Sequence, residues 1–200
     1  MFNHAIITGT GRCGTTALVR ILTHLGLDTG FSIEEVNALK DTQPGLEFDP
    51  RLHPYEQSPY IIKSPIFCID IRNYLSNKQM VIDHLFIPIR CLFQAAESRR
   101  RINKGDGGLT GTRSLKVGDQ EEILLQRLYN LLLIASSKMI PVTFIKYPLL
   151  TVNSKYLYGK LKPILKDTKY TKFAEVFDLI IRPDLVHIYK PKGVDHYVIT

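Results

Sequence analysis

Four short, uninterrupted apolar runs mark the chain, and we predict that each forms a buried β-strand. They are HAIIT at 4–8, YIIK at 60–63, HLFIPI at 84–89 and VTFIK at 142–146. Strands of a parallel sheet are covered by helices on both faces, so they carry continuous apolar residues. The runs therefore predict a parallel sheet. Pro88 argues against a central position for the third run unless it lies at the strand's end, because proline cannot donate a ladder hydrogen bond.

Helical patterns lie between these runs. Gly26 offers a stop signal after a first apolar stripe made of Ala17, Leu18, Ile21, Leu22 and Leu25. A second stripe covers about 119–139, with Asp119 as its expected N-cap, and more polar helical patterns cover 154–166 and 169–181. Strands that alternate with helices predict an α/β fold, and the 200 residues fit a single domain.

Segment 27–58 is rich in glycine, proline and acidic residues, and segment 103–118 is rich in glycine and lysine. We expect both to form functional loops or lids. Within the first segment, Ser32 and Glu35 have the spacing of a capping box. They predict a short helix in which Glu35 completes the cap while Glu34 faces the cleft.

Composition favours an anionic partner. The formal net charge is +7 and the sequence pI is about 9.3, which suits nucleotides, acidic glycans, nucleic acid or a membrane surface. Cys13, Cys68 and Cys91 show neither a disulfide framework nor a zinc spacing, so a reducing compartment is expected. There is no signal-peptide pattern, and no apolar run reaches the ~18 residues of a membrane helix. We therefore expect a cytoplasmic protein without a membrane span.

The stretch ITGTGRCGTTALVRIL at 7–22 carries the clearest chemical signal. A strand, a glycine-rich turn and a helix place backbone N–H groups at a positive helix terminus, which is an anion site. Gly9, Gly11 and Gly14 satisfy GxGxxG, and the same stretch satisfies most of GxxxxGK[ST], with Thr15 in the lysine's place.

Three interpretations of this turn are weaker. A dinucleotide site requires a second strand that ends in an acid, and GLDTGFSIEEV does not have the pattern of a strand. A nucleoside triphosphatase requires the loop lysine and a strand ending in aspartate, whereas HLFIPI ends in Arg90. A tight turn without a ligand would not require three clustered glycines, which are costly in conformational entropy.

The stretch GTGRCGTT resembles the 5′-phosphosulfate loop of sulfotransferases, which use 3′-phosphoadenosine 5′-phosphosulfate as sulfuryl donor. In that family a basic residue lies two positions before the second loop glycine, and here it is Arg12. The resemblance implies a P-loop-like three-layer α/β fold with a central parallel sheet of four to five strands, and a reaction without a metal. It also implies that Arg12 stabilises the departing oxygen, and that the donor is held by Gly11, Arg12, Cys13, Gly14, Thr15 and Thr16.

Two further stretches are similar to the same family. In FIPIRCLFQAAESRRR, Arg90 ends a strand and Ser98 lies eight residues later, the family's spacing for binding the donor's 3′-phosphate. In KYPLL, Tyr147 matches a tyrosine that lies near the adenine. The glycine-containing segment 101–111 is similar to a loop that closes over the 3′-phosphate.

The family's general base is not evident. Some members carry a histidine two residues after a strand lysine, but here Lys63 is followed by Pro65 at that position. Others use a glutamate after the first helix, which favours Glu34 and leaves Glu35, Glu47 and His53 as alternatives. Lys63 is expected to orient the sulfuryl group or the acceptor.

The sequence thus predicts a sulfotransferase that acts on a hydroxyl or amine of a small-molecule or glycan acceptor, with no nucleic acid expected. A P-loop kinase or triphosphatase and a non-catalytic polyanion-binding module remain alternatives, as does an inactive member of the family.

Overall fold

The computed structural model describes residues 2–40, 45–50, 52–53, 57–76, 80–102, 108–109 and 115–189. Within these residues, four strands form one parallel sheet in the order β2-β1-β3-β4. The strands are β1 (Phe2–Ile7), β2 (Ile61–Lys63), β3 (Met80–Ile89) and β4 (Val142–Lys146). The predicted α/β fold with a parallel sheet is confirmed.

Helices cover both faces of this sheet. They are α1 (Thr15–His24), α2 (Ile33–Ala38), α3 (Phe67–Ser76), α4 (Leu92–Arg100), α5 (Asp119–Ser137), α6 (Ser154–Leu165) and α7 (Tyr170–Ile180). Ala5 and Ile7 pack in a buried cluster with residues of α1, α6 and α7, whereas Ile6 packs on the opposite face with α3 and α5. Because successive residues of β1 enter two apolar layers, the strand carries no polar alternation.

Pro88 lies in β3, a central strand, and the register explains why it is tolerated. The pairing of β3 with β1 ends where Ile7 meets Phe86, and Pro88 is paired only with Ile145 of β4. The N–H group that proline lacks is therefore not needed for the pairing with β1, which ends before Pro88.

Several local predictions are confirmed and others are not. Ser32 and Glu35 form the predicted capping box of α2. The N-cap of α5 is Gly118 rather than Asp119, because the Glu121 carboxylate accepts a hydrogen bond from the Gly118 N–H at 2.9 Å. Helix α3 was not predicted. Most of the predicted loop 103–118 lies outside the described residues.

No helix in the described part of the chain is both long and apolar enough to span a bilayer.

The cysteines should differ in reactivity. Cys68 lies on the buried face of α3, and burial raises the pKa of its thiol to about 11, whereas Cys91 is only partly buried. Because the thiolate is the reactive species, iodoacetamide at pH 8 should label Cys91 at least about 100-fold faster than Cys68 in the native protein. Peptide mass spectrometry measures both rates, and all three cysteines should react after unfolding in guanidinium. Equal native rates would contradict the burial of Cys68.

Candidate anion-binding site

The carboxyl ends of all four strands converge on one edge of the sheet. The glycine loop follows β1, Lys63 is the last residue of β2, Arg90 follows β3, and Tyr147 follows β4. In open α/β sheets this edge is where ligands bind. Four separate sequence segments therefore supply polar groups to one place.

The loop between β1 and α1 has an unusual backbone. Gly11, Arg12 and Gly14 have φ values of 72°, 58° and 85°, in the left-handed region. For the non-glycine residue Arg12 this conformation costs about 1–2 kcal/mol. Gly14 is the N-cap of α1 and provides no side-chain hydrogen bond, so the first N–H groups of the helix are open to an anion.

Two of the loop glycines lie close to other parts of the protein. A Cβ atom on Gly11 would lie 2.5 Å from Nη2 of Arg99. That guanidinium donates to the carbonyl oxygens of Thr10 (2.6 Å) and Gly108 (2.7 Å), and so fixes the loop from outside. A Cβ atom on Gly14 would lie 3.1 Å from Leu150 and 3.5 Å from the Tyr147 ring.

Cys13 stabilises the loop through its side chain. Its Sγ donates to the Gly11 carbonyl oxygen at 3.0 Å and lies 3.4 Å from the Thr10 hydroxyl. The thiol is buried, and burial raises its pKa. Only the backbone N–H of Cys13 is therefore suited to contact a ligand.

The structure brings Arg90 and Ser98 to this loop. Nη1 of Arg90 donates to the Arg12 carbonyl oxygen at 3.1 Å, and Nε of Arg12 lies 3.4 Å from the Ser98 hydroxyl. Both Arg90 and Ser98 are buried. The Tyr147 ring lies beneath the Arg90 guanidinium, with 4.7 Å between Cζ and the ring centroid. Burial raises the pKa of Tyr147, which keeps the ring neutral.

Positive charge is concentrated here without neutralising carboxylates. Burial lowers the pKa of Arg12, the ionisable hydroxyl of Tyr189 acts in the opposite direction, and the nearby charge of Arg90 lowers the pKa further. Within the described residues, no ion pair joins Arg12 or Arg90 to a carboxylate, and Nε of Arg90 is buried without a hydrogen-bond partner. Two guanidinium groups held together in this way favour an anion between or beside them.

Lys63 supplies a second positive centre at the start of α1. Its ammonium group donates to the Thr16 hydroxyl at 3.0 Å, to the Glu47 carboxylate at 3.3 Å and to the Gly45 carbonyl oxygen. Burial lowers the pKa of Lys63, and Glu47 partly offsets this. Because an ammonium group has three donors, all of them are used by the protein.

A small cleft lies between the loop and β2. It is lined by Ile7, Thr8, Gly9, Gly11, Thr15, Lys63 and Pro65. The Thr8 hydroxyl is buried and has no hydrogen-bond partner among the described residues. Pro65, two residues after Lys63, also lines the cleft.

The candidate proton acceptors occupy different environments. Glu34 is fully exposed on α2, where hydrogen bonds from its own backbone N–H and from Ser32 lower its pKa. Glu35 is engaged in the capping box. His53 stacks on Phe48 with 4.7 Å between ring centroids. Glu47 alone among these four is shown in contact with Lys63, and its side chain is 46% exposed.

Sequence analysis missed two contributions to the site. Glu47 lies close to Lys63 because the segment that contains Glu47 and Phe48 runs beside β2. There the Phe48 N–H donates to the Lys63 carbonyl oxygen at 2.9 Å. The carbonyl oxygen of His187 accepts a hydrogen bond from Nη2 of Arg90, and the Tyr189 ring lies 5.7 Å from the same guanidinium. Neither contact has a local sequence signal. Most of 101–111, proposed to cover a phosphate, lies outside the described residues.

Comparisons with known proteins add no assignment: no family model matches the chain, and no match was found among curated proteins or solved structures.

Substitution of Gly11 by alanine should destabilise the protein. The left-handed backbone and the proximity of Arg99 should reduce the free energy of unfolding by about 1–2 kcal/mol. Gly159→Ala is the matched control, because Gly159 lies within α6 with nothing within 4 Å of an added Cβ atom, and this change should stabilise by about 0.5–1 kcal/mol. Urea denaturation measures both, and a neutral or stabilising Gly11→Ala would contradict the loop geometry.

Proposed function

We propose that this chain transfers a sulfuryl group from 3′-phosphoadenosine 5′-phosphosulfate to a hydroxyl or amine acceptor. One observation carries the proposal: Arg90 and Ser98, 78 and 86 residues away from Arg12 in sequence, both contact that residue at the glycine loop. The two anion-binding elements implied by the family resemblance are therefore adjacent. A donor with phosphate groups at both the 5′ and 3′ positions requires this adjacency.

The donor would be held at two points. The backbone N–H groups of the loop and of the first turn of α1 would bind the 5′-phosphosulfate, as helix N-termini bind phosphate. The guanidinium of Arg90 and the hydroxyl of Ser98 would bind the 3′-phosphate, and the Tyr147 ring beside Arg90 would contact the adenosine.

The chemistry is an in-line displacement at sulfur. The acceptor oxygen or nitrogen forms a bond to sulfur while the bond from sulfur to the phosphate oxygen breaks, and that oxygen leaves on adenosine 3′,5′-bisphosphate. Negative charge develops on the departing oxygen, and the partly buried Arg12 guanidinium stabilises it. Binding and orientation supply much of the remaining acceleration.

We propose that Glu47, rather than Glu34, is the general base that removes the acceptor's proton. The Glu47 carboxylate contacts Lys63, which lines the cleft, and it is open enough to meet an acceptor. A general base must lie within hydrogen-bond reach of the proton that it removes. Glu34 lies on the exposed first turn of α2, where its carboxylate accepts a hydrogen bond from its own backbone N–H. In the described part of the chain, no contact joins Glu34 to the residues that line the cleft.

The arrangement around Thr16 favours this function over a magnesium-dependent kinase. In P-loop kinases and triphosphatases the corresponding hydroxyl binds the metal. Here the Thr16 hydroxyl accepts a hydrogen bond from the Lys63 ammonium, so a protein cation is already beside it.

Binding of adenosine 3′,5′-bisphosphate tests the donor site. Isothermal calorimetry should detect binding to the wild-type chain, and Arg90→Ala should weaken it at least about 10-fold, because charge-assisted hydrogen bonds to the 3′-phosphate are lost. Ser98→Ala should have a smaller effect. Lys172→Ala, which removes one exposed charge from α7, is the control for net charge and should leave binding unchanged.

Other ligands distinguish the alternatives in the same experiment. Tight binding of ATP with magnesium, without binding of the bisphosphate, would favour a kinase. Equal weakening by Arg90→Ala and Lys172→Ala, with steep salt dependence, would favour a polyanion-binding module.

Glu47 can be tested against Glu34 without knowledge of the natural acceptor. Release of adenosine 3′,5′-bisphosphate from 3′-phosphoadenosine 5′-phosphosulfate is measured with water or a simple phenol as acceptor. Glu47→Gln should lower kcat by about 10²-fold or more, as expected for loss of a general base, with little change in donor Kd. Glu34→Gln should have a much smaller effect, and the opposite order would show that Glu34 is the base.

A further inference from the structure

The segment Val186–Tyr189, which we call the tail strap, lies against Arg90 and Arg101. It follows a short 3-10 turn at Pro183–Leu185 beyond α7. The His187 carbonyl oxygen accepts a hydrogen bond from Nη2 of Arg90. The Tyr189 ring lies 4.5 Å from the Arg101 guanidinium carbon and 5.7 Å from that of Arg90. The strap thus contacts the side chain assigned above to the 3′-phosphate.

The strap is held by these polar and ring contacts rather than by the core. His187 and Ile188 are exposed, with 54% of Ile188 accessible, and none of the four residues belongs to a buried apolar cluster of the described chain. Segments with little buried apolar surface open at low free-energy cost. Among the described residues, little buried apolar surface therefore opposes movement of the strap away from the site.

The hydrogen bonds of Arg90 show what an incoming anion must replace. Nη1 is bound to the Arg12 carbonyl oxygen, which belongs to the loop itself, and Nη2 is bound to His187 and lies 3.5 Å from the Gln94 side chain. The His187 carbonyl is the neutral acceptor that lies on a weakly held segment. A phosphate is negatively charged and can accept two parallel hydrogen bonds from one guanidinium, so it binds arginine more strongly than a single neutral carbonyl oxygen does.

We propose that the tail strap is a displaceable lid, closed over Arg90 when no anion is bound and released when an anion takes the hydrogen bond of His187. The proposal uses the proposed function only to choose the nucleotide probe. Because opening the strap costs free energy, the observed affinity should be lower than the intrinsic affinity of the open site. Substitutions that weaken the closed strap should therefore tighten ligand binding.

A single tryptophan reports the movement. The sequence contains no tryptophan, so Tyr189→Trp in the full chain introduces the sole indole, next to Arg90 and Arg101. Addition of adenosine 3′,5′-bisphosphate should shift its emission to the red and increase its quenching by acrylamide. Tyr129→Trp, at a 64% exposed position on α5, is the matched control and should not respond.

Affinity provides the second measurement. Tyr189→Ala in the full chain should bind the bisphosphate about 3- to 10-fold more tightly than wild type, because less free energy is needed to open the strap. Tyr129→Ala should bind as wild type does. A thermal unfolding scan of each variant confirms that the fold is retained.

The outcomes separate the strap from the proposed function. Weaker binding by Tyr189→Ala, or a blue shift of Trp emission, would show that Tyr189 is a fixed wall of the site and would overturn the lid. Bisphosphate binding without any response at position 189 would also overturn the lid while leaving the proposed function intact. If inorganic pyrophosphate releases the strap but the bisphosphate does not bind, the lid stands and the proposed donor fails. If neither the bisphosphate nor inorganic pyrophosphate binds, both the lid and the proposed function are overturned.

Discussion

The hydrogen bond from the Arg90 guanidinium to the Arg12 carbonyl oxygen is the contact on which the site depends. It joins the end of β3 to the turn after β1 and holds Arg12 in a left-handed backbone conformation that an L-residue adopts only at a cost. It also holds two positive side chains within one partly buried volume. Without an anion, the repulsion between these two positive groups lowers the stability of the fold. The same repulsion favours the binding of negative charge at this site.

The rest of the fold makes this contact possible. Parallel pairing aligns the carboxyl ends of β1 and β3, so a residue directly after β3 can reach the loop after β1. Helix α4 then returns from the same edge and carries Ser98 and Arg99 to the loop, where Arg99 binds the Thr10 carbonyl oxygen. On the opposite side of the loop, Lys63 of β2 binds the Thr16 hydroxyl. The glycine loop is thus enclosed by side chains from two neighbouring strands and one helix.

Much of this arrangement could be predicted from the sequence because it follows from local rules. Apolar runs identified the four strands, and glycine spacing identified the loop. The expectation that Arg90 and Ser98 lie near that loop came from the family resemblance of their segment. What could not be predicted depends on long-range pairing. Glu47 reaches Lys63 only because its segment lies beside β2, and His187 reaches Arg90 only because the chain returns after α7. Helix α3 did carry a local signal, since Phe67, Ile71 and Tyr74 share one apolar face that the sequence analysis did not use.

The central claim is that one nucleotide spans the loop and the Arg90 site together. A crystal structure of the chain with adenosine 3′,5′-bisphosphate tests it most directly. The account predicts the 5′-phosphate at the N-terminus of α1 and the 3′-phosphate within hydrogen-bond distance of Arg90 and Ser98, in the position that the His187 carbonyl otherwise occupies. A nucleotide bound elsewhere, or a phosphate in the loop while the 3′-phosphate points to solvent away from Arg90, would contradict it.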